Sequence, residues 1–119
     1  MDSEISIQDR SKKFAIRIVK TYSFLEKESI TGRILGQQLL RSGTSIGANC
    51  QEAQSAQSRR DFIHKYEIAL KEARETLYWI ELIVESGLVT EPKFSLLKEE
   101  CNRIIKILVS SINSLKANS

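Results

Sequence analysis

The chain has 119 residues, 41% hydrophobic and 28% charged, with a formal net charge of +3. That balance fits one soluble domain, residues 1–119, with enough apolar side chains to bury a core unaided by disulfides or metals. No apolar run approaches the ~18 residues that cross a bilayer, and the opening MDSEISIQDRSKK is too polar for a signal peptide. The expected compartment is the cytoplasm, and no membrane contact is expected. Cys50, Cys101 and the single histidine, His64, stand too far apart to read as a zinc site. Both cysteines read as small buried hydrophobes kept reduced, and no metal or cofactor is expected.

Four segments carry apolar residues at steps of three and four, and none shows strand alternation. The first, about Ile7 to Lys27, lines up Ile7, Phe14, Ile18, Tyr22 and Leu25. The second, about Thr31 to Gln57, carries Leu35, Leu39, Ile46, Cys50 and Ala53. The third runs from Ser58 or Arg59 to Ser86, with Phe62, Tyr66, Ala69, Ala73, Leu77, Ile80 and Val84 in register. Ser58 fits an N-cap, Asp61 suits the first turn, and Gly87 fits the C-terminal stop. The fourth follows Thr90-Glu91-Pro92, a cap with Pro near the first turn, and carries Phe94, Leu97, Cys101, Ile104, Leu108, Ile112 and Leu115. Short connections between such helices predict an all-α fold, an antiparallel up-down-up-down four-helix bundle.

Gly43-Thr44-Ser45-Ile46-Gly47 matches the G-x-S-x-G elbow of serine hydrolases letter for letter. An elbow needs a preceding strand and a converging histidine and acid. Here the preceding ILGQQLLR continues a helix, so Ser45 reads as inert and no catalytic residue is assigned. At about 100° per residue, Gly36, Gly43 and Gly47 share one helical face. Each glycine costs a helix about 1 kcal/mol relative to alanine. Three on one face suggest close approach of another backbone, by analogy with small-xxx-small contacts in membranes. A merely weak or kinked helix is the alternative.

Beside that face runs a polar row, Arg41, Ser45, Asn49 and Glu52, with Glu72 and Glu75 on the third helix as candidate partners for Arg41. It reads equally as a network at the bundle edge or as a solvated face. Arg10, Lys13, Arg17 and Lys20 form a basic stripe on the first helix, and Arg59 and Arg60 add charge at the start of the third. A basic stripe opposite a core is ordinarily a solvated face, but repeated around an assembly it becomes a strong field for nucleic acid. Trp79 and Ile83, with Ile16, Val19 and Phe24, lie off the core stripes and point to a second buried surface, a contact between copies.

Arg41-Ser42, Ser45-Ile46, Asn49 and Glu52, followed by Arg59 to Phe62 and the stretch IALKEARETLYWIELI, resemble the bacterial four-helix-bundle proteins called 23S rRNA intervening-sequence proteins. Cys50 stands where that family more often carries an aliphatic residue, and Gln51 to Gln54 lacks the Glu-Gly of many members. The resemblance implies a ring-like homopentamer with no enzymatic activity. It also implies kinship with an accessory protein of diversity-generating retroelements that binds a reverse transcriptase and nucleic acid. The expected function is therefore a non-enzymatic, homo-oligomeric helical adaptor whose partner is RNA or a nucleic-acid-associated protein. A purely protein-binding scaffold without nucleic-acid affinity is the alternative.

Overall fold

Three serines open three of the helices in the same way. The Oγ atoms of Ser6, Ser29 and Ser58 accept hydrogen bonds from the backbone N–H groups of Asp9, Gly32 and Asp61, at 3.0, 2.9 and 3.0 Å. Each satisfies a donor that the first helical turn otherwise leaves unpaired. A computed structural model describes residues 5–90 and 92–118, and places α1 at Ile7–Glu28, α2 at Ile30–Ala53, α3 at Arg59–Glu85 and α4 at Lys93–Ala117. Among the described residues there is no strand. No helix there is long and apolar enough to cross a membrane. The polar N-terminal reading falls partly on residues 1–4, and the Thr90-Glu91-Pro92 cap partly on Glu91; those residues lie outside the described set.

Each helix packs against its two neighbours in the cyclic order α1, α2, α3, α4, and the backbones of the diagonal pairs stay apart among the described residues. Neighbours run antiparallel. Along the first seam a Cβ built on Gly32 would meet Leu25, one on Gly43 would meet Ile18, and one on Gly47 would meet Ser11. Along the second, Thr76 meets Ser42 and Lys65 meets Glu52. The result is an up-down-up-down four-helix bundle, 47 × 27 × 20 Å, with one core built by all four helices.

Phe14, Ile18 and Leu25 meet Leu39, Ile46 and Cys50, and Ile80, Ile83, Ile104 and Leu108 close the core from the other side. Each such side chain contributes roughly 1.5–3 kcal/mol relative to exposure. Several polar groups inside are partnered across helices. Gln8 donates from Nε2 to the Cys50 carbonyl at 3.2 Å and to the Tyr66 hydroxyl at 3.1 Å, tying α1 to α2 and α3. The hydroxyls of Ser42 and Thr76 meet at 3.0 Å between α2 and α3. Both cysteines are free and buried. Burial pushes the Cys50 thiol up to about 11 and the Cys101 thiol up to about 12, which leaves them protonated and unreactive at neutral pH.

Several expectations need correction. Ile83 is not off the core: it is 0% exposed, and Val84 faces out instead. The inward stripe of α3 is Ala69, Ala73, Thr76, Ile80 and Ile83. Thr76 is the polar member that breaks the apolar pattern, so a stripe drawn through Leu77 drifts one position. Phe24 is partly buried and packs on the core rather than pointing away. The second helix stops at Ala53, four residues before Gln57, because Gln54 begins a turn that ends in the Ser58 cap. Pro92, not Thr90, occupies the N-cap of α4, without a side-chain cap hydrogen bond. Gly87, at φ +79°, supplies the left-handed residue that ends α3.

Gly36, Gly43 and Gly47 are buried against α1. A Cβ on Gly43 would lie 2.8, 2.9 and 3.1 Å from three carbons of Ile18, and one on Gly47 would lie 3.3 Å from the Ser11 carbonyl oxygen. Such distances leave no room for a larger side chain. Gly43→Leu is therefore expected to lower stability by about 1–3 kcal/mol through overpacking, outweighing the roughly 1 kcal/mol of helix propensity gained. Thermal or urea unfolding checks this; a raised melting temperature would mean that the two helices separate without cost.

Candidate nucleic-acid interface

α1 and α2 pack more closely than any other pair, and α1 and α4 pack least. Glycines draw α1 toward α2, while no comparable run of small residues faces α1 from α4. The α1–α4 seam is closed instead by long side chains. Arg10 donates from Nη1 to Glu100 Oε2 at 2.8 Å, and the Lys93 ammonium sits 4.9 Å from the centroid of the Phe24 ring. Between these two contacts the surface is concave.

The expected stripe on α1 is divided by this packing. Lys13 and Lys20 are exposed and Arg17 is half-buried. None of the three has a carboxylate partner among the described residues. Arg10 does not belong with them: it is 6% exposed and ion-paired with Glu100, so it lies in the floor of the seam and not on a solvated face. Helical geometry explains the difference, since Arg10 sits furthest round toward α4, where its guanidinium reaches an acid that the sequence places ninety residues away. Two cations that were not anticipated join from α4: Lys93, and Arg103, whose Nη1 lies 3.9 Å from Glu100 Oε1. Finding them required the α1–α4 register, which up-down topology supplies only in outline.

Arg59 and Arg60 are exposed at the start of α3. Arg59 donates from Nη2 to the Leu115 carbonyl at 3.2 Å, serving one of the last carbonyls of α4. Leu115 lies fifteen residues beyond Glu100 on α4, about 22 Å at 1.5 Å per residue. The structure therefore places these arginines at one end of the bundle and not beside Lys13, Arg17 and Lys20.

The polar row on α2 divides as well. Arg41 pairs with Glu72 at 3.4 Å and closely with Glu75, and the Trp79 indole N–H donates to Glu75 Oε2 at 3.0 Å. Glu52 pairs with Lys65 at 2.9 Å. Ser45 and Asn49 turn back onto their own helix: Ser45 Oγ donates to the Arg41 carbonyl at 2.7 Å and Asn49 Nδ2 to the Ser45 carbonyl at 2.9 Å. The Ser45 hydroxyl is thus engaged within a helix and not presented on an elbow. Trp79 is half-buried and stacks edge-on with Tyr78, ring centroids 5.0 Å apart, while Tyr78 is 56% exposed. Ile16 and Val19, at 49% and 48%, expose a second apolar area on α1.

Residues 3–110 match the model of a family described as 23S rRNA-intervening sequence protein. A crystal structure of a protein of unknown function from the S23 ribosomal protein family of Bacteroides thetaiotaomicron VPI-5482 is similar, with a TM-score of 0.82 and 46% identity. The match covers 90% of this chain and 98% of that one. Curated proteins give no match.

The edge network has a pH signature. The Trp79 hydrogen bond first, and Arg41 with it, hold the Glu75 carboxyl below its ordinary 4.5, against a smaller opposing effect of burial. A carboxylate depressed in the folded state adds stability that is full above its unfolded value and lost as pH falls through the folded value. The stability difference between wild type and Glu75→Gln is therefore expected to be larger at pH 7 than at pH 3. Urea unfolding at both values checks this, and an equal difference at both would show that the Glu75 charge has no part.

Proposed function

Because the chain belongs to the 23S rRNA-intervening sequence protein family, we propose that it is a non-enzymatic helical adaptor that assembles with copies of itself and holds RNA electrostatically. The observation that carries this reading is the placement of charge. On α2 and α3, Glu52, Glu67, Glu72, Glu75 and Glu81 are engaged with Lys65, Lys116, Arg41 and Lys98. Lys13, Arg17 and Lys20 on α1 face outward without such partners among the described residues. Charges left uncompensated in this way attract a polyanion and release its counterions on binding.

Absence of enzymatic chemistry in the proposal follows from the side chains that could have carried it. Ser45 is engaged with a helix carbonyl, the thiols are buried and protonated, and His64 stands exposed on α3. Buried thiols fit the reducing cytoplasm, where the proposal places the protein. Self-assembly is supported by the apolar side chains that the bundle leaves outside, chiefly Ile16, Val19, Ile34 and Tyr78. Large apolar side chains left exposed in this way are what an interface between copies covers. The ring of five comes from the family resemblance. A protein-binding scaffold without RNA affinity is the second reading, favoured by the same exposed apolar residues.

Two measurements test the proposal. Light scattering coupled to size exclusion is expected to give a mass several times that of the chain at micromolar concentration; a monomer would remove self-assembly. RNA affinity is expected to fall steeply between low and physiological salt, because it rests on phosphate contacts and not on base reading. If no RNA binds even at low salt, the scaffold reading stands in its place.

A further inference from the structure

The concave seam between α1 and α4 is a continuous feature. Three adjoining depressions of 200–350 Å³ follow it, and Arg17 lines all three. The first also holds Lys13 and Arg103, the second Arg103 again, and the third Lys20 and Lys93. From Arg10 to Phe24 the seam runs fourteen residues of α1, about 21 Å.

We propose that this groove is the path of a single nucleic-acid strand, whose phosphates pass Arg103 and Lys13, then Arg17, then Lys20 and Lys93. The proposal rests on the RNA reading given above and adds to it a site, a strand type and two residues of α4. The charge is arranged for a strand lying in the groove. The floor is the Arg10–Glu100 ion pair, with Arg10 buried and Glu100 partly buried. The cations stand at the rims, on both helices, where they flank anything lying between. Among the described residues, Glu99 is the one carboxylate besides Glu100 that lines the depressions.

Shape selects the strand type. A double helix is a convex rod and would touch only the rims, whereas a single strand fits between them and meets cations from both sides. Leu96, 59% exposed in the same depression as Arg17 and Arg103, offers an apolar surface to a sugar or base. The face of Phe24 nearest the groove is taken by Lys93, so no open aromatic platform sorts one base from another. Recognition is therefore of the backbone and tolerates sequence.

The test compares three variants with wild type by fluorescence anisotropy, using oligouridine about ten nucleotides long and an RNA hairpin duplex as probes. Lys93→Gln with Arg103→Gln removes the α4 rim. Arg33→Gln with Arg60→Gln removes two exposed cations that line none of the three depressions. Lys93→Arg with Arg103→Lys keeps the charge, and thermal melting checks that every variant is folded. Each single-strand phosphate contact contributes about 0.7 to the salt slope, hence about 0.6 log units at 0.15 M salt. The α4 pair of Gln substitutions is expected to weaken oligouridine binding roughly tenfold and to flatten the slope by about 1.4. The Arg33 and Arg60 changes should do less, the charge-preserving pair should bind as wild type does, and the hairpin should bind more weakly than oligouridine. If the α4 change leaves affinity and slope intact while the Arg33 and Arg60 changes reduce them, the groove is wrong and RNA binding lies elsewhere. A hairpin that outcompetes oligouridine would overturn the single-strand assignment. If wild type binds neither probe at low salt, the RNA reading itself falls and takes the groove with it.

Discussion

The nearness of α1 to α2 is the constraint from which most of the molecule follows. Ile18 occupies the space that a side chain at Gly43 would need, and the Ser11 backbone lies where one at Gly47 would press. Glycine in a helix is locally unfavourable, so its retention on this face has to be offset by packing, and the buried faces of Phe14, Ile18, Leu39 and Ile46 supply that. A helix drawn hard to one side is held less tightly on the other. The open α1–α4 seam, closed by Arg10–Glu100 and by Lys93 over Phe24, is the counterpart of the glycine contact.

Charge is distributed in the same asymmetric way. α3 carries acids toward both its neighbours: Glu72 and Glu75 toward Arg41 of α2, Glu67 and Glu81 toward Lys116 and Lys98 of α4. These pairs are mostly exposed, and such pairs contribute little stability each. They offset most of the acids of α3, and the excess positive charge of the chain is weighted toward α1 and α4. A net charge of +3 understates the local field because the compensation is uneven.

The helices were legible because their apolar periodicity is strong, and Ser58, Asp61 and Gly87 mark ends by chemistry that acts locally. The G-x-S-x-G match was separable from a nucleophile elbow for the same reason: helical periodicity runs straight through it. What failed depended on more than one helix. Arg10 looked like its neighbours in the stripe until α4 supplied Glu100. Ile83 looked peripheral because Thr76, a polar residue satisfied inside the core by Ser42 and the Glu72 carbonyl, interrupted the stripe that leads to it. Lys93 and Arg103 carried no signal of their own, since their meaning comes from the helix they face. The single-residue offsets of a helical wheel are small enough to be lost over α3, a helix of 27 residues.

Ser29 is both the last cap of α1 and the first cap of α2, in extended backbone at φ −169° and ψ 167°. A joint of one residue has no slack. The contacts across the first seam begin beside it, at Leu25 and Gly32, and proceed outward to Ser11 and Gly47. Each therefore closes a loop only slightly larger than the last, so little chain entropy is lost at any step. Zipping from the joint makes the α1–α2 hairpin a natural early unit of folding, onto which α3 and α4 add. The same geometry makes chain length at Ser29 unforgiving: one inserted residue would turn α2 by about 100°, carry its glycines off α1, and present side chains where only hydrogen atoms fit.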